Sequence, residues 1–213
     1  AINFQYSKLM MYDGVRENVM TVIYNETNST NYDRNDQITI ILVLRTGGDT
    51  YNHRYVNATA KNIRENLTYD AEIICLTDNP TGITEVDRIV EMEHDWPKWW
   101  GKMEMFKKSI TTNKHCLYLD LDTVCFKNID FICKLPAGFY GIRDFYHLNI
   151  LQTGILKWEV NDESVRLYKN NLHHIDKYFN KGDHELIGEC VKAPLFLQDI
   201  FPGEICSYKK HMA

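Results

Sequence analysis

The sequence predicts an α/β fold, a mostly parallel sheet flanked by helices in a single domain, and three observations carry that expectation. An unbroken aliphatic and β-branched run, Ile38 to Leu44, has the composition of a strand buried on both faces. A small-residue loop, a helical apolar stripe and a second apolar run, Ala71 to Leu76, follow it in the order of a βαβ unit. A further apolar run from His115 is cut short by Asp120 and Asp122, and ligands of open α/β sheets bind beyond such strand ends.

The totals narrow the function classes. At 213 residues the chain can bury one sizeable core, expected over residues 38–213, with residues 1–37 as an appendage. A formal charge of -5 gives no basic footprint for nucleic acid, so an anionic substrate needs local positive charge or a metal. No apolar run approaches the roughly 18 residues of a membrane span, and no basic segment precedes an apolar one at the start, so a soluble cytoplasmic domain is expected. Six cysteines without a Cys-x-x-Cys pair read as reduced core residues rather than as zinc ligands. The four sequons at Asn25, Asn28, Asn57 and Asn66 then carry no glycosylation signal.

Taken in order, residues 1–37 show no steady apolar period and end in an Asn/Thr/Asp-rich tract. After the strand 38–44, Thr46-Gly47-Gly48 forms a loop, and Val56, Ala60, Ile63 and Leu67 mark a helix at spacings of four, three and four. The strand 71–76 ends in a turn-rich loop from Thr77 to Gly82, and Ile83 to Glu91 gives a short third strand. Trp99, Met103, Phe106 and Ile110 keep helical spacing, so one helix is expected to run into the strand ahead of the acidic pair. Beyond it, a helical turn (131–135), a strand (138–142) and a second strand (148–158) interrupted at Gln152-Thr153-Gly154 are expected. Such a polar triplet in a buried strand indicates close approach of a ligand or a bulge. Asp162 is placed as the cap of a helix through Val165 and Tyr168, and Gly182-Asp183 opens a last helix over 186–191.

The acidic pair is the main functional signal. Residues two apart in an extended strand share a face, so Asp120 and Asp122 can address one site, and two hard oxygen ligands suit Mn²⁺ or Mg²⁺ bridging to phosphates. The alternative is a strand ending in a polar turn, which leaves two carboxylates at a core edge to be paired or solvated. Thr46-Gly47 is compatible with a phosphate or ribose near backbone N–H groups and equally with a plain turn. Asp78 fits a ribose or base contact, or an Asp turn. Lys102, Lys209 and Lys210 are candidate diphosphate partners, and His211 a candidate third metal ligand, against the ordinary fate of such residues as solvated surface groups. Asp144 and Asp183 fit either a sugar hydroxyl contact or a turn cap.

With these segments in order, the chain resembles the GT-A glycosyltransferases, most closely glycogenin-like and related bacterial and large-virus members. The matching motifs are Thr46-Gly47-Gly48 with Tyr51 and Tyr55-Val56, Cys75 to Asp78, Trp99-Trp100-Gly101-Lys102, and Tyr118 to Thr123. Arg143 to Tyr146, Gln152 to Gly154, Gly182 to Glu185 and Ser207 to His211 complete the series. The chain is also similar to a glycosyltransferase domain of large algal viruses, as part of a longer multidomain protein. The resemblance implies a Rossmann-like GT-A fold and transfer of a hexose from a UDP-sugar to a glycan or glycoprotein acceptor. It implies Asp120, Asp122 and His211 on Mn²⁺ or Mg²⁺, and Thr46, Gly47, Tyr51, Asp78, Lys102, Leu121, Lys209 and Lys210 on the donor. It further implies retention, with Asp183, Gln152, Asp144 and Lys102 around the reacting carbon. Two departures stand out: Gln152-Thr153-Gly154 replaces a common Asn-Ser-Gly, and His184 replaces a glutamine.

The rival reading is a haloacid-dehalogenase-type phosphatase, whose Asp-x-Asp motif also follows an apolar strand. That motif normally opens its domain, whereas apparent α/β core precedes Asp120 here. The Gly-Asp-x-x-x-Asp that should follow is broken by Ile187 after Gly182-Asp183.

Overall fold

The computed structural model describes residues 20–22, 37–47 and 51–211, the first of these as backbone; most of the expected 1–37 appendage lies outside the described residues. In chain order the strands are β1 (Met20–Val22), β2 (Ile38–Leu44), β3 (Ala71–Thr77), β4 (Arg88–Glu91) and β5 (His115–Leu119). They continue with β6 (Thr123–Cys125), β7 (Tyr140–Arg143), β8 (Leu151–Glu159), β9 (Leu195–Phe196) and β10 (Ile205–Ser207). The α-helices are α1 (His53–Glu65), α2 (Asp130–Cys133), α3 (Asp162–Asn171), α4 (Asp183–Cys190), α5 (Leu197–Ile200) and α6 (Tyr208–His211).

The main sheet has the order β4-β3-β2-β5-β8-β7-β9. β2 is parallel to β3 and β5, and β3 to β4. β8 is antiparallel to both its neighbours and β9 is parallel to β7, so β8 alone runs against the rest. The mostly parallel α/β architecture read from the sequence is therefore the one observed. From β2 the chain winds outward through β3 to β4 and then returns to the other side of β2 as β5. That reversal is a topological switch point, where the loops after adjacent strands separate and leave a crevice.

Alternation along β2 explains the layers. Ile38, Ile40, Leu42 and Leu44 point to one face and pack with Val56, Ala60 and Ile63 of α1. Ile41 of β2, with Ile74 and Leu76 of β3 and Cys116 and Tyr118 of β5, meets Trp100, Met103 and Phe106 on the opposite face, together with Leu167 of α3 and Leu186 of α4. A second, three-stranded sheet of order β10-β1-β6 lies beyond the acidic pair.

Four expectations change in detail. The stretch Trp99 to Ile110 is not one α-helix but two 3₁₀ segments, Lys98–Phe106 and Lys108–Ile110. Its buried face is Trp100, Met103 and Phe106, spaced by the three-residue repeat of a 3₁₀ helix, while Trp99 is 41% exposed. The third strand begins at Arg88 rather than Ile83, because side chains claim the preceding backbone. Asn57 accepts the Thr84 N–H at 2.9 Å and donates to the Gly82 carbonyl at 2.9 Å, while Asp87 accepts the Ile73 N–H at 2.7 Å. The cap of α3 is Asn161, whose side chain accepts the Ser164 N–H at 3.0 Å while the Ser164 hydroxyl accepts the Asn161 N–H at 3.0 Å. Finally, β8 is continuous, and Gln152 to Gly154 mark a register shift against β7: Tyr140 lies opposite Lys157, but Ile142 opposite Gln152.

Candidate functional site

Asp120 and Asp122 are presented by a turn, not by strand alternation. β5 ends at Leu119, the Asp120 N–H is held by the Gly154 carbonyl of β8 at 2.8 Å, and the Thr123 N–H returns to the Asp120 carbonyl at 3.0 Å. Leu121, between them, is only 8% exposed and packs into the α1-side core, and its carbonyl accepts the Thr59 hydroxyl of α1 at 3.1 Å. The turn thus joins the two layers of the sheet. Asp120 faces groups of one layer and Asp122 faces the other.

On the Asp120 side, Tyr118 shares its face two residues earlier and its hydroxyl donates to Asp120 Oδ1. Lys102 Nζ lies 2.8 Å from the same oxygen, 3.4 Å from Asp183 Oδ2 and 5.2 Å from the Tyr118 ring centroid. Burial alone would pull the Lys102 ammonium down; the negative charges of Asp120 and Asp183 outweigh it and hold the group well above the usual lysine value. Tyr118 is likewise pushed well up, by burial first and by Asp120. Asp183, the first residue of α4, is 6% exposed and accepts the Thr153 hydroxyl of β8 at 2.7 Å.

On the other side, the Tyr51 hydroxyl donates to Asp122 Oδ2 at 3.1 Å. Burial and then the neighbouring charge of Asp120 push the Asp122 carboxyl up to about 7, against the pull of Tyr51 and Lys102. Tyr51 is raised in turn, by its own burial and by Asp122. Three carboxylates, Asp120, Asp122 and Asp183, with Lys102 bridging only the first and the last, form a site deficient in positive charge.

The other expected residues take definite places. Asp78, at the end of β3, is engaged by Thr46: its carboxylate accepts the Thr46 N–H and hydroxyl, each at 2.8 Å, and Arg45 Nη1 at 2.8 Å. Arg45 also pairs with Asp95. The Thr46-Gly47 loop and Asp78 therefore form one unit at the β2 and β3 ends, with Gly47 at φ 94, a left-handed conformation that glycine tolerates. Gln152 turns its amide oxygen to the Gly154 N–H at 2.7 Å. Asp144 caps a loop, accepting the N–H groups of Tyr146 at 2.8 Å and His147 at 2.7 Å. Lys209, Lys210 and His211 lie exposed on α6, where His211 Nδ1 accepts the Ser207 N–H at 2.9 Å and Lys210 donates to the Phe145 carbonyl. Among the described residues no three His, Cys, Asp or Glu side chains gather as a metal-binding group, so His211 is not drawn to the acidic pair.

Sequence reasoning quoted Tyr118 and Thr153 within motifs but gave neither a role of its own, and it did not single out Thr59. Tyr118 had a signal, since it shares a strand face with Asp120. The Thr153 contact with Asp183 and the Thr59 contact with the turn arise only where distant segments meet. Two sequons also find a structural use: Asn57 pins the loop before β4, and Asn66 Nδ2 donates to the Asn62 carbonyl at 2.9 Å and the Cys125 carbonyl at 3.0 Å.

No protein-family model matches this chain, and no curated protein sequence does. Among solved structures, the glycosyltransferase GlyE of Streptococcus pneumoniae TIGR4 superimposes with a TM-score of 0.59 at 12% identity, over 79% of this chain and 47% of that one. Its apo form gives 0.55 at 12% identity, over 78% and 46%. The galactosyltransferase LgtC, solved with donor and acceptor sugar analogues, gives 0.54 at 10% identity, over 74% and 72%. The chain spans about half the length of GlyE. At such identities the likeness is one of fold, and that fold is the GT-A architecture.

Proposed function

We propose that this chain is a metal-dependent glycosyltransferase, part of a longer multidomain protein, whose residues 38–213 form the catalytic domain that moves a hexose from a UDP-sugar to a glycan or glycoprotein hydroxyl, with retention. The observation that carries this reading is the convergence of Asp120, Asp122, Lys102, Asp183 and Tyr51 at the turn after β5, beside the switch point of a GT-A sheet. Mn²⁺ or Mg²⁺ fits the donor set: two hard carboxylates, one of them lifted to about 7 by burial and then by its neighbour's charge, are what a divalent cation relieves. Bound there, the cation supplies Lewis-acid stabilisation of the departing diphosphate.

The chain's own residues do the rest. Lys102 adds fixed positive charge beside Asp120, in a setting that keeps it protonated. The Thr46-Gly47 and Asp78 unit receives the nucleotide, with Tyr51 and Leu121 at the turn. Lys209 and Lys210 of α6 would supply positive charge to the diphosphate, and His211 would be the third ligand of the cation. Asp183, held by Thr153 and Lys102, stands ready to face oxocarbenium-like charge, with Gln152 and Asp144 framing the acceptor side. The phosphatase alternative gains no support: the structural neighbours are glycosyltransferases, and Asp120 follows the fourth strand of the main sheet in chain order.

The test is thermal shift with UDP. Mn²⁺ and UDP together should raise Tm by linkage, neither alone should do so to the same extent, and Asp122→Ala should remove the joint effect. A chain indifferent to UDP with metal overturns the reading, as does hydrolysis of a generic phosphate ester without sugar transfer. A panel of UDP-sugars scored for metal-dependent donor hydrolysis then identifies the hexose.

A further inference from the structure

The strand β1 stands between two segments that carry opposite halves of the candidate site. β6 starts at Thr123, the residue after Asp122; β10 ends at Ser207, the residue before α6 with Lys209, Lys210 and His211. Met20 of β1 lies opposite both Thr123, in the parallel pairing, and Ser207, in the antiparallel one. The start of β6 and the end of β10 are therefore level at one edge of the small sheet, about 10 Å apart across two strand spacings. Among the described residues β1 is the only strand that pairs with β10. The other described ties on α6 run to one exposed loop: Lys210 on the Phe145 carbonyl, and the His211 ring 5.5 Å from the Phe145 ring.

We propose that β1 is a positioning strand, which holds the segment Tyr208–His211 at the edge where Asp122 stands, so that residues 20–22 are part of the working site rather than of a dispensable appendage. The importance of that placement rests on reading the site as one for a diphosphate. The placement itself is a matter of backbone pairing, and it makes β1 a structural link between the cations of α6 and the acidic turn. A three-residue strand is short, but here it forms two ladders at once; without it β10 would present an unpaired edge, anchored to the main core through Ile205 at its far end from α6.

The register gives a direct test. Thr21 is opposite Cys206, and directly opposed residues of an antiparallel pair have Cα atoms about 4.5–5.5 Å apart, within the range that a disulfide bridges. Under mild oxidation Thr21→Cys should crosslink to Cys206, seen by peptide mass mapping, whereas Met20→Cys, opposite Ser207, should not. Absence of the first crosslink, or equal formation of both, overturns the proposal. Hydrogen exchange supplies a second arm. Thr21→Pro, which deletes a ladder donor, should speed exchange of residues 205–207 by roughly tenfold and leave 38–44 unchanged. Unchanged exchange at 205–207 overturns the proposal, and should this variant not fold, the crosslink decides.

Binding of UDP with Mn²⁺ completes the test. Thr21→Pro should weaken it by about tenfold and the oxidised Thr21→Cys protein should retain it; faster exchange with unaltered affinity overturns the positioning role. If the unaltered protein itself ignores UDP and Mn²⁺, the diphosphate reading falls and with it the role in binding, while crosslink and exchange still decide the pairing.

Discussion

Asp122 shows how a single residue can be held against the stability of the fold. Its carboxyl is pushed up to about 7 from an ordinary 3.8, by burial and by Asp120. Below about pH 4 both folded and unfolded chains keep the proton, and the site costs nothing. Between about 4 and 7 the unfolded chain ionises and the folded one does not, so stability is lost as pH rises through that window and stays lost above it. Asp122→Asn should therefore raise the metal-free Tm at pH 7.5, by about 2–4 °C for each kcal/mol recovered, and should change Tm little at pH 4. Scanning calorimetry of both proteins at the two pH values checks this, and a variant less stable at pH 7.5 would contradict it. Lys102 is the counterpart: burial works against its charge, and Asp120 and Asp183 restore it. The two aspartates were legible in the sequence because they break an apolar run. The partners of Lys102 were not, because Asp183 reaches it only through the folding of α4 onto the sheet.

At the scale of elements, the 3₁₀ segment Lys98–Phe106 shows what periodicity omits. Apolar spacing announced a helix here, but the pitch was decided by Glu104, fully buried, which accepts the N–H groups of Glu93 and His94, each at 2.9 Å, and pairs with Lys107 at 2.7 Å. These bonds tie the segment to the end of β4 and so place Lys102 two residues away. Glu104→Gln should cost about 2 kcal/mol, since it removes the shorter of the two carboxylate contacts of the buried Lys107 ammonium and leaves only Glu93 at 3.1 Å, and urea unfolding measures it. The capping box of α3 is worth less. Asn161→Ala should cost about 1 kcal/mol in the same assay, because the cap is exposed and water can replace its bond in part. A loss as large as that of Glu104→Gln would mean that Asn161 does more than cap. Strand positions were legible to within a few residues from aliphatic runs, whereas the start of β4 was not, because Asn57 and Asp87 set it from outside the strand.

For the molecule as a whole, the cysteines report the packing. Cys75, Cys116, Cys125 and Cys133 are buried and unbridged, and burial pushes each thiol up, Cys75 and Cys125 to about 12. Cys190 is exposed at the end of α4. A thiol reagent at pH 8 should label Cys190 in the native protein and these four only on unfolding, read by mass spectrometry; native labelling of Cys116 would contradict the sheet's two-sided burial. Among the described residues no helix is long and apolar enough to cross a membrane. The sequence by itself determined the layered α/β plan, because strands buried on both faces and an amphipathic helix each impose a local pattern that few other folds satisfy. It also marked the acidic turn. Only the tertiary structure decided which groups meet there: the turn that sends Asp120 and Asp122 to different layers, the Lys102 and Asp183 pairing, the tethering of Asp78 by Thr46 and Arg45, and the strand β1 between β6 and β10. Those contacts join segments far apart in the chain, and local periodicity reports which face a residue turns inward but not what it finds there.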